Sequence, residues 1–128
     1  MTNAQRPRLI VCITCRAGRE LADGETPPGA LLHAELSRLL APSSGEAAVE
    51  LREASCMANC ERGCSAAIAM PGKWTYVLGH LTAGLGADLL AYAATYAASA
   101  TGTVMPSRRP ATLARVVIAR VPPLEFAA

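Results

Sequence analysis

Five cysteines fall into two groups, Cys12 with Cys15 and Cys56 with Cys60 and Cys64, and the stretch between the groups is long enough to hold a helix and a strand. A fold that gives both groups one task must return the chain to the point where it left the first group. The polar start, residues 1–8, and the short apolar run 9–13 make neither a secretory segment nor a membrane span. A cytoplasmic location is therefore expected. Structural disulfides are uncommon in that reducing compartment, so metal binding or thiol redox chemistry is the better use of the cysteines.

The pattern between the groups supplies such a fold. Residues 8–13 are β-branched and continuous, as suits a strand inside a sheet. Residues 14–28 are polar and rich in Gly, Pro and acidic side chains and predict a loop. Leu32, Leu36, Leu39 and Leu40, with Leu31 beside them, recur at helical spacing, and Pro42 with Ser43, Ser44 and Gly45 supplies a stop. Residues 47–53 alternate, with Val49 and Leu51 on one side and Glu50 and Arg52 on the other, and predict a second strand running up to Cys56.

Beyond the cysteines, residues 65–70 and 74–78 flank Pro71-Gly72-Lys73, a connection that predicts an antiparallel hairpin. Thr82 is positioned to cap a helix whose Leu85, Leu89, Tyr92 and Tyr96 form a core-facing stripe, with Asp88 near its N-terminus. Gly102 ends that helix. A basic segment with Pro106, Pro110, Pro122 and Pro123 follows and is expected to pack on the domain as an arm. The expected fold is α/β, a small mixed sheet of one parallel strand pair and an antiparallel hairpin, flanked by helices.

A strand–helix–strand unit of this kind forms a right-handed crossover, so the C-terminal ends of its parallel strands share one edge. That edge is where open α/β sheets place their ligands. Cys12, Cys15 and Cys56 all fall there, with Cys60 and Cys64 following at spacings of four that keep successive sulfurs on one side of a turn. Four thiolates can hold an iron–sulfur cluster or a structural zinc ion. Iron is favoured because Cys56-x-x-x-Cys60 is not the Cys-x-x-Cys knuckle common at zinc, and because the apolar content needs no metal staple. His33 and His80 have no ligand-spaced partner.

With 128 residues and 52% hydrophobic composition, the chain has room for one domain, expected over residues 1–102, with 103–128 as the extension packed on it. A net charge of +2 makes no case for nucleic acid as a partner. Residues 81–100 are too rich in Ala, Gly, Ser and Thr, with Asp88 among them, to predict a membrane helix. There is no phosphate loop, paired-carboxylate motif or nucleophile elbow, so no catalytic residue is assigned and the chain is not expected to be an enzyme.

The phrases Val11-Cys-Ile-Thr-Cys-Arg16, Cys56-Met-Ala-Asn-Cys60 and Lys73-Trp-Thr-Tyr-Val-Leu-Gly79, with Arg109-Pro110 and Arg120-Val-Pro-Pro123, resemble a bacterial family of unknown function described as metal-binding, domain-of-unknown-function family 1636. That family in turn is similar to the thioredoxin-like [2Fe-2S] ferredoxins, including the corresponding subunit of respiratory complex I. The resemblance implies a thioredoxin-like fold, a [2Fe-2S] cluster and one-electron transfer to a redox partner protein. By position, Cys12 matches the first ligand, and Cys56 and Cys60 the last two. Those ferredoxins place more residues between their first two cysteines than separate Cys12 from Cys15, so Cys15 stands as the remaining ligand with Cys64 as its substitute. Members of the family are associated with cobalamin biosynthesis, which implies a setting in corrin or cobalt reduction.

Two other readings use the same residues. In one, a four-cysteine site holds zinc for structure or delivery. In the other, Cys12-x-x-Cys15 works as a thiol–disulfide oxidoreductase, although Gly18, Gly24 and Pro27 predict a loop where thioredoxin chemistry needs a helix. Arg16, Arg19, Arg62, Arg108 and Arg109 are expected to rim the cysteine edge and attract an acidic partner. An exposed hairpin edge could support a homodimer, although such edges are often simply covered.

Overall fold

A computed structural model describes residues 6–43 and 49–123. The continuous run of branched residues forms β1 (Arg8–Cys12). Helix α1 (Pro28–Leu40) begins with proline in its first turn, where no amide hydrogen bond is lost, and ends before Pro42, which sits in a 3-10 turn. It buries Leu32 and Leu36 and leaves Leu31 49% exposed, so Leu31 belongs to the solvent side of the leucine pattern. Then come β2 (Glu50–Ala54), β3 (Ala66–Ala69) and β4 (Thr75–Leu78), helix α2 (Gly86–Ala98) and β5 (Val117–Val121). Ala47 and Ala48, expected to open the second strand, lie outside the described residues.

The sheet order is β2-β1-β3-β4-β5. Strands β1 and β2 are parallel, in register from Arg8 opposite Glu50 to Cys12 opposite Ala54, and the other neighbours are antiparallel. This is the mixed sheet the sequence predicts, with one strand added. The C-terminal segment does more than pack on the domain. Its apolar run pairs with β4 as β5, through a register shift between Val77 and Leu78. The hairpin edge is thereby covered, which leaves β2 and β5 as the edges. Helix α2 also starts later than predicted. Thr82 is extended and makes no side-chain cap; the chain first closes a tight turn, with the Leu85 N–H donating to the Thr82 carbonyl at 2.9 Å, before α2 begins at Gly86. Asp88 in its first turn accepts a hydrogen bond from the Thr112 hydroxyl at 2.6 Å and so ties the C-terminal segment to the helix.

One face of the sheet carries the core. Leu9, Val11, Ile68, Tyr76 and Leu78 pack against Leu32 and Leu36 of α1 and Leu89, Tyr92 and Tyr96 of α2. Tyr76 lies edge-on to Tyr92 at 5.7 Å and to Tyr96 at 6.2 Å, contacts worth about 0.5–1.5 kcal/mol each beyond the area they bury. Its hydroxyl accepts from the Val104 N–H at 2.9 Å, while Tyr96 donates to the Trp74 carbonyl at 2.6 Å. Arg120 of β5 stacks on Trp74, 4.1 Å from the ring centroid. The tyrosine stripe read from the sequence is thus the seam that joins α2, the hairpin and the C-terminal strand. Among the described residues no helix is long and apolar enough to cross a membrane.

Gly102 sits under this seam with φ +85, and a Cβ there would lie 2.8 Å from Tyr96 Cε1 and 2.9 Å from Lys73 Cβ. Gly102→Ala combines a left-handed backbone with a crowded site. It should cost about 2 kcal/mol and lower Tm by roughly 8 °C, as measured by circular dichroism melting. An unchanged Tm would mean that the turn relaxes freely.

Candidate metal centre

The parallel pairing of β1 and β2 brings the two cysteine groups to one edge. Cys12 is the last residue of β1, and its N–H donates to the Ser65 carbonyl at 3.0 Å, at the entry to β3. The next amide, on Ile13, donates to the Ala54 carbonyl at the end of β2 at 2.9 Å. Cys15 follows on the first loop. Cys56, Cys60 and Cys64 lie on the second loop, between β2 and β3, where Cys60 opens a 3-10 turn that ends at Arg62. All five thiols are free.

Burial divides them in a way that the spacing does not show. Cys12, Cys15 and Cys64 are buried, at 5%, 3% and 0% exposure, whereas Cys56 and Cys60 are exposed. Two glycines make room for the buried set. A Cβ at Gly29, in the first turn of α1, would lie 2.0 Å from the Cys12 carbonyl oxygen, and one at Gly63 would lie 1.8 Å from Cys15 Sγ. The Gly29 N–H donates to the Cys15 carbonyl at 3.0 Å, fixing the first loop to the helix. Burial pushes the Cys64 thiol up to about 12, and the neighbouring Cys15 and, less strongly, Cys12 act in the same direction, so Cys64 is a protonated thiol at neutral pH.

The second loop is clamped at its base and strained at its tip. Asn59 Nδ2 donates to Ser65 Oγ at 2.9 Å, and the Ala58 N–H points to Cys56 Sγ at 3.4 Å. Cys12 Sγ is 3.7 Å from the hydroxyl of Thr14, which itself donates to the Ser55 carbonyl. Among the described residues, the non-glycine residues with positive φ are Ala17, Ala58 and His80, and all three lie at this edge. Each conformation costs on the order of 1–3 kcal/mol, and such strain gathers where a site must be held in shape.

Among the described residues, no three His, Cys, Asp or Glu side chains form a ready ligand group for a metal ion. Of the expected ligands, Cys12 and Cys15 share the buried side with Cys64, and Cys56 and Cys60 remain outside it on the same edge. His33 faces Glu53 at 3.7 Å, and His80 donates its backbone N–H to the Arg62 carbonyl at 2.6 Å. The arginine rim is smaller than expected. Arg16, Arg19 and Arg62 are exposed at the cysteine loops, where Arg16 and Arg19 line a groove with Cys60 and Arg19 also pairs with Glu25 at 2.6 Å. Arg108 lines a groove with Ala94, Ala98 and Ser99 at the end of α2, the end that packs on the hairpin through Tyr96 and Trp74. Arg109 donates to the Val104 carbonyl at 3.2 Å. Charge alone does not say which loop an arginine occupies.

Gly29, Gly63, Asn59 and Ser65 shape the site without being cysteines, and for most of them no spacing or motif marks the role. The signal for Gly29 is a glycine just inside a helix, directly after Pro27-Pro28, where helix propensity favours almost any other residue.

Residues 9–123, from β1 through the end of β5, match the family described as protein of unknown function (DUF1636). The chain belongs to this family. The match includes β5, so the C-terminal strand is part of the DUF1636 unit. No curated protein matches the chain. Among solved structures, this DUF1636 protein is similar to a thioredoxin-like [2Fe-2S] ferredoxin from Aquifex aeolicus, with a TM-score of 0.57 and 13% identity over 95% of this chain and 99% of the other. The fold is thioredoxin-like.

Proposed function

We propose that this protein holds a [2Fe-2S] cluster on Cys12, Cys15, Cys56 and Cys60 and carries single electrons. The observation that carries the reading is the convergence of five free thiols, from two separate stretches of sequence, on adjacent loops at the C-terminal edge of the parallel pair. The donor set is chemically suited to such a group, since thiolates are the usual ligands of iron–sulfur clusters and the fold's core does not depend on a metal. Cys56 and Cys60, being exposed, are the thiols open to incoming iron. When bound, the cluster supplies a one-electron couple.

The rest of the work falls to the chain. The Ala58 amide beside Cys56 is placed to stabilise sulfur charge, which is how a protein tunes a cluster potential. Exposed Arg16 and Arg62 suit brief docking of an acidic redox partner. Reduction steps in cobalamin biosynthesis are the proposed setting, within the cytoplasm. The protein needs no acid, base or nucleophile of its own and is not an enzyme in this reading.

The test is an anaerobic visible spectrum of the untagged chain before and after dithionite, with iron, sulfide and zinc analysis. About two iron and two sulfide per chain, with colour that bleaches on reduction, is the expected result. Colourless protein with about one zinc would replace the electron carrier by a structural or delivery role.

A further inference from the structure

Cys15 and Cys64 are neighbours in space, buried and both reduced. Cys15 Sγ packs on the backbone of Gly63, the residue before Cys64, at a distance that any side chain there would block. Cys64 is fully buried in the same core cluster as Cys15. The alternative partners are less well placed. Cys12 lies in the same buried cluster, but its sulfur sits 3.7 Å from the Thr14 hydroxyl. Cys56 and Cys60 are on the exposed part of the second loop. The packing at Gly63 thus brings Cys15 of the first group against the chain at Cys64 of the second.

We propose that Cys15 and Cys64 form a reversible disulfide in the metal-free protein, with low-molecular-weight disulfides such as oxidised glutathione as the oxidant. Cys15 borders the exposed residues 16–20 and is reached first. Its sulfur attacks one sulfur of glutathione disulfide, forming a mixed disulfide and releasing one glutathione. Cys64, buried next to Gly63 against which Cys15 packs, then gives up its proton and attacks the Cys15 sulfur as the thiolate, and the expelled glutathione thiolate takes up a proton. The two protein thiols lose two electrons and two protons in total, and one glutathione disulfide becomes two glutathione molecules. The site does not rest on the cluster reading, although it competes with a cluster for Cys15.

The experiment equilibrates the full chain, stripped of metal by a chelator and fully reduced, with oxidised glutathione. It then counts free thiols and maps linked tryptic peptides by mass spectrometry. The expected result is a fall from five thiols to about three, with the peptide of residues 9–16 joined to that of residues 63–73. The link should persist in Cys12→Ser, disappear in Cys15→Ser and Cys64→Ala, and reverse with dithiothreitol. A link inside 9–16 or inside 53–62, a link lost in Cys12→Ser, or no link at all would overturn the proposal. Fragmentation of the linked peptide from the unmodified chain, which assigns the bond to Cys15 or to Cys12 within residues 9–16, decides the matter even where a variant does not fold. The readout is metal-free, so it stands or fails separately from iron loading.

Discussion

Serine at Cys56 or Cys60 should lower iron and sulfide loading of the reconstituted chain by more than about tenfold, at least the loss that disturbing the groups behind a metal ligand causes. Both side chains are exposed and take no part in the core, so the fold should survive. Circular dichroism of the metal-free variants should overlay that of the parent chain, while absorbance and iron analysis fall together. Cys64→Ala is the informative contrast. It removes a buried thiol from the core yet should load close to normally, since Cys64 lies outside the proposed ligand set. Full loading of Cys56→Ser would refute the ligand assignment, and loss of loading in Cys64→Ala alone would exchange Cys64 for one of the four.

The second large effect concerns stability. Gly29→Ala should destabilise the protein by about 3 kcal/mol and lower Tm by more than roughly 10 °C. Two terms oppose each other here. Alanine is favoured over glycine in a helix by about 1 kcal/mol. Against that, the new Cβ would meet the Cys12 carbonyl oxygen at 2.0 Å and the Cys12 carbonyl carbon at 3.1 Å. Those atoms belong to the backbone of a strand paired on both sides, which cannot swing aside as a side chain would. Sterics decide the sign. Urea unfolding midpoints measure it, and a neutral or stabilised Gly29→Ala protein would show that α1 can slide along β1 at little cost.

Local chemistry explains why part of this structure is legible in the sequence. The branched run at β1, the proline that stops α1, the Pro-Gly hairpin and the Leu89, Tyr92 and Tyr96 stripe of α2 each act over a few residues, and each appears where the pattern predicts it, although α2 itself starts later. Strand β5 is hidden because it is an edge strand. Its burial is only intermediate at Val117 and Ile118 and is lost from Ala119 onward, so no clean alternation marks it, and the prolines around it read as an arm. At the site, the convergence of the two cysteine groups follows from strand order and is legible. The division into buried Cys12, Cys15 and Cys64 and exposed Cys56 and Cys60 is not, because it depends on where Gly29 and Gly63 let backbone and sulfur approach. The spread of the arginines over separate loops is invisible for a related reason, since spacing along the chain does not report which end of the sheet a loop reaches.

The position of β5 beside β4 also bears on the birth of the molecule. A ribosome delivers β4 well before β5, and until then the nascent sheet has an open edge at β4, with the Tyr76 hydroxyl still awaiting the Val104 amide. An open edge of that kind recruits chaperones or neighbouring nascent chains. Pairing of β5 closes that edge, and Arg120 stacked on Trp74 is one of the contacts that holds it closed.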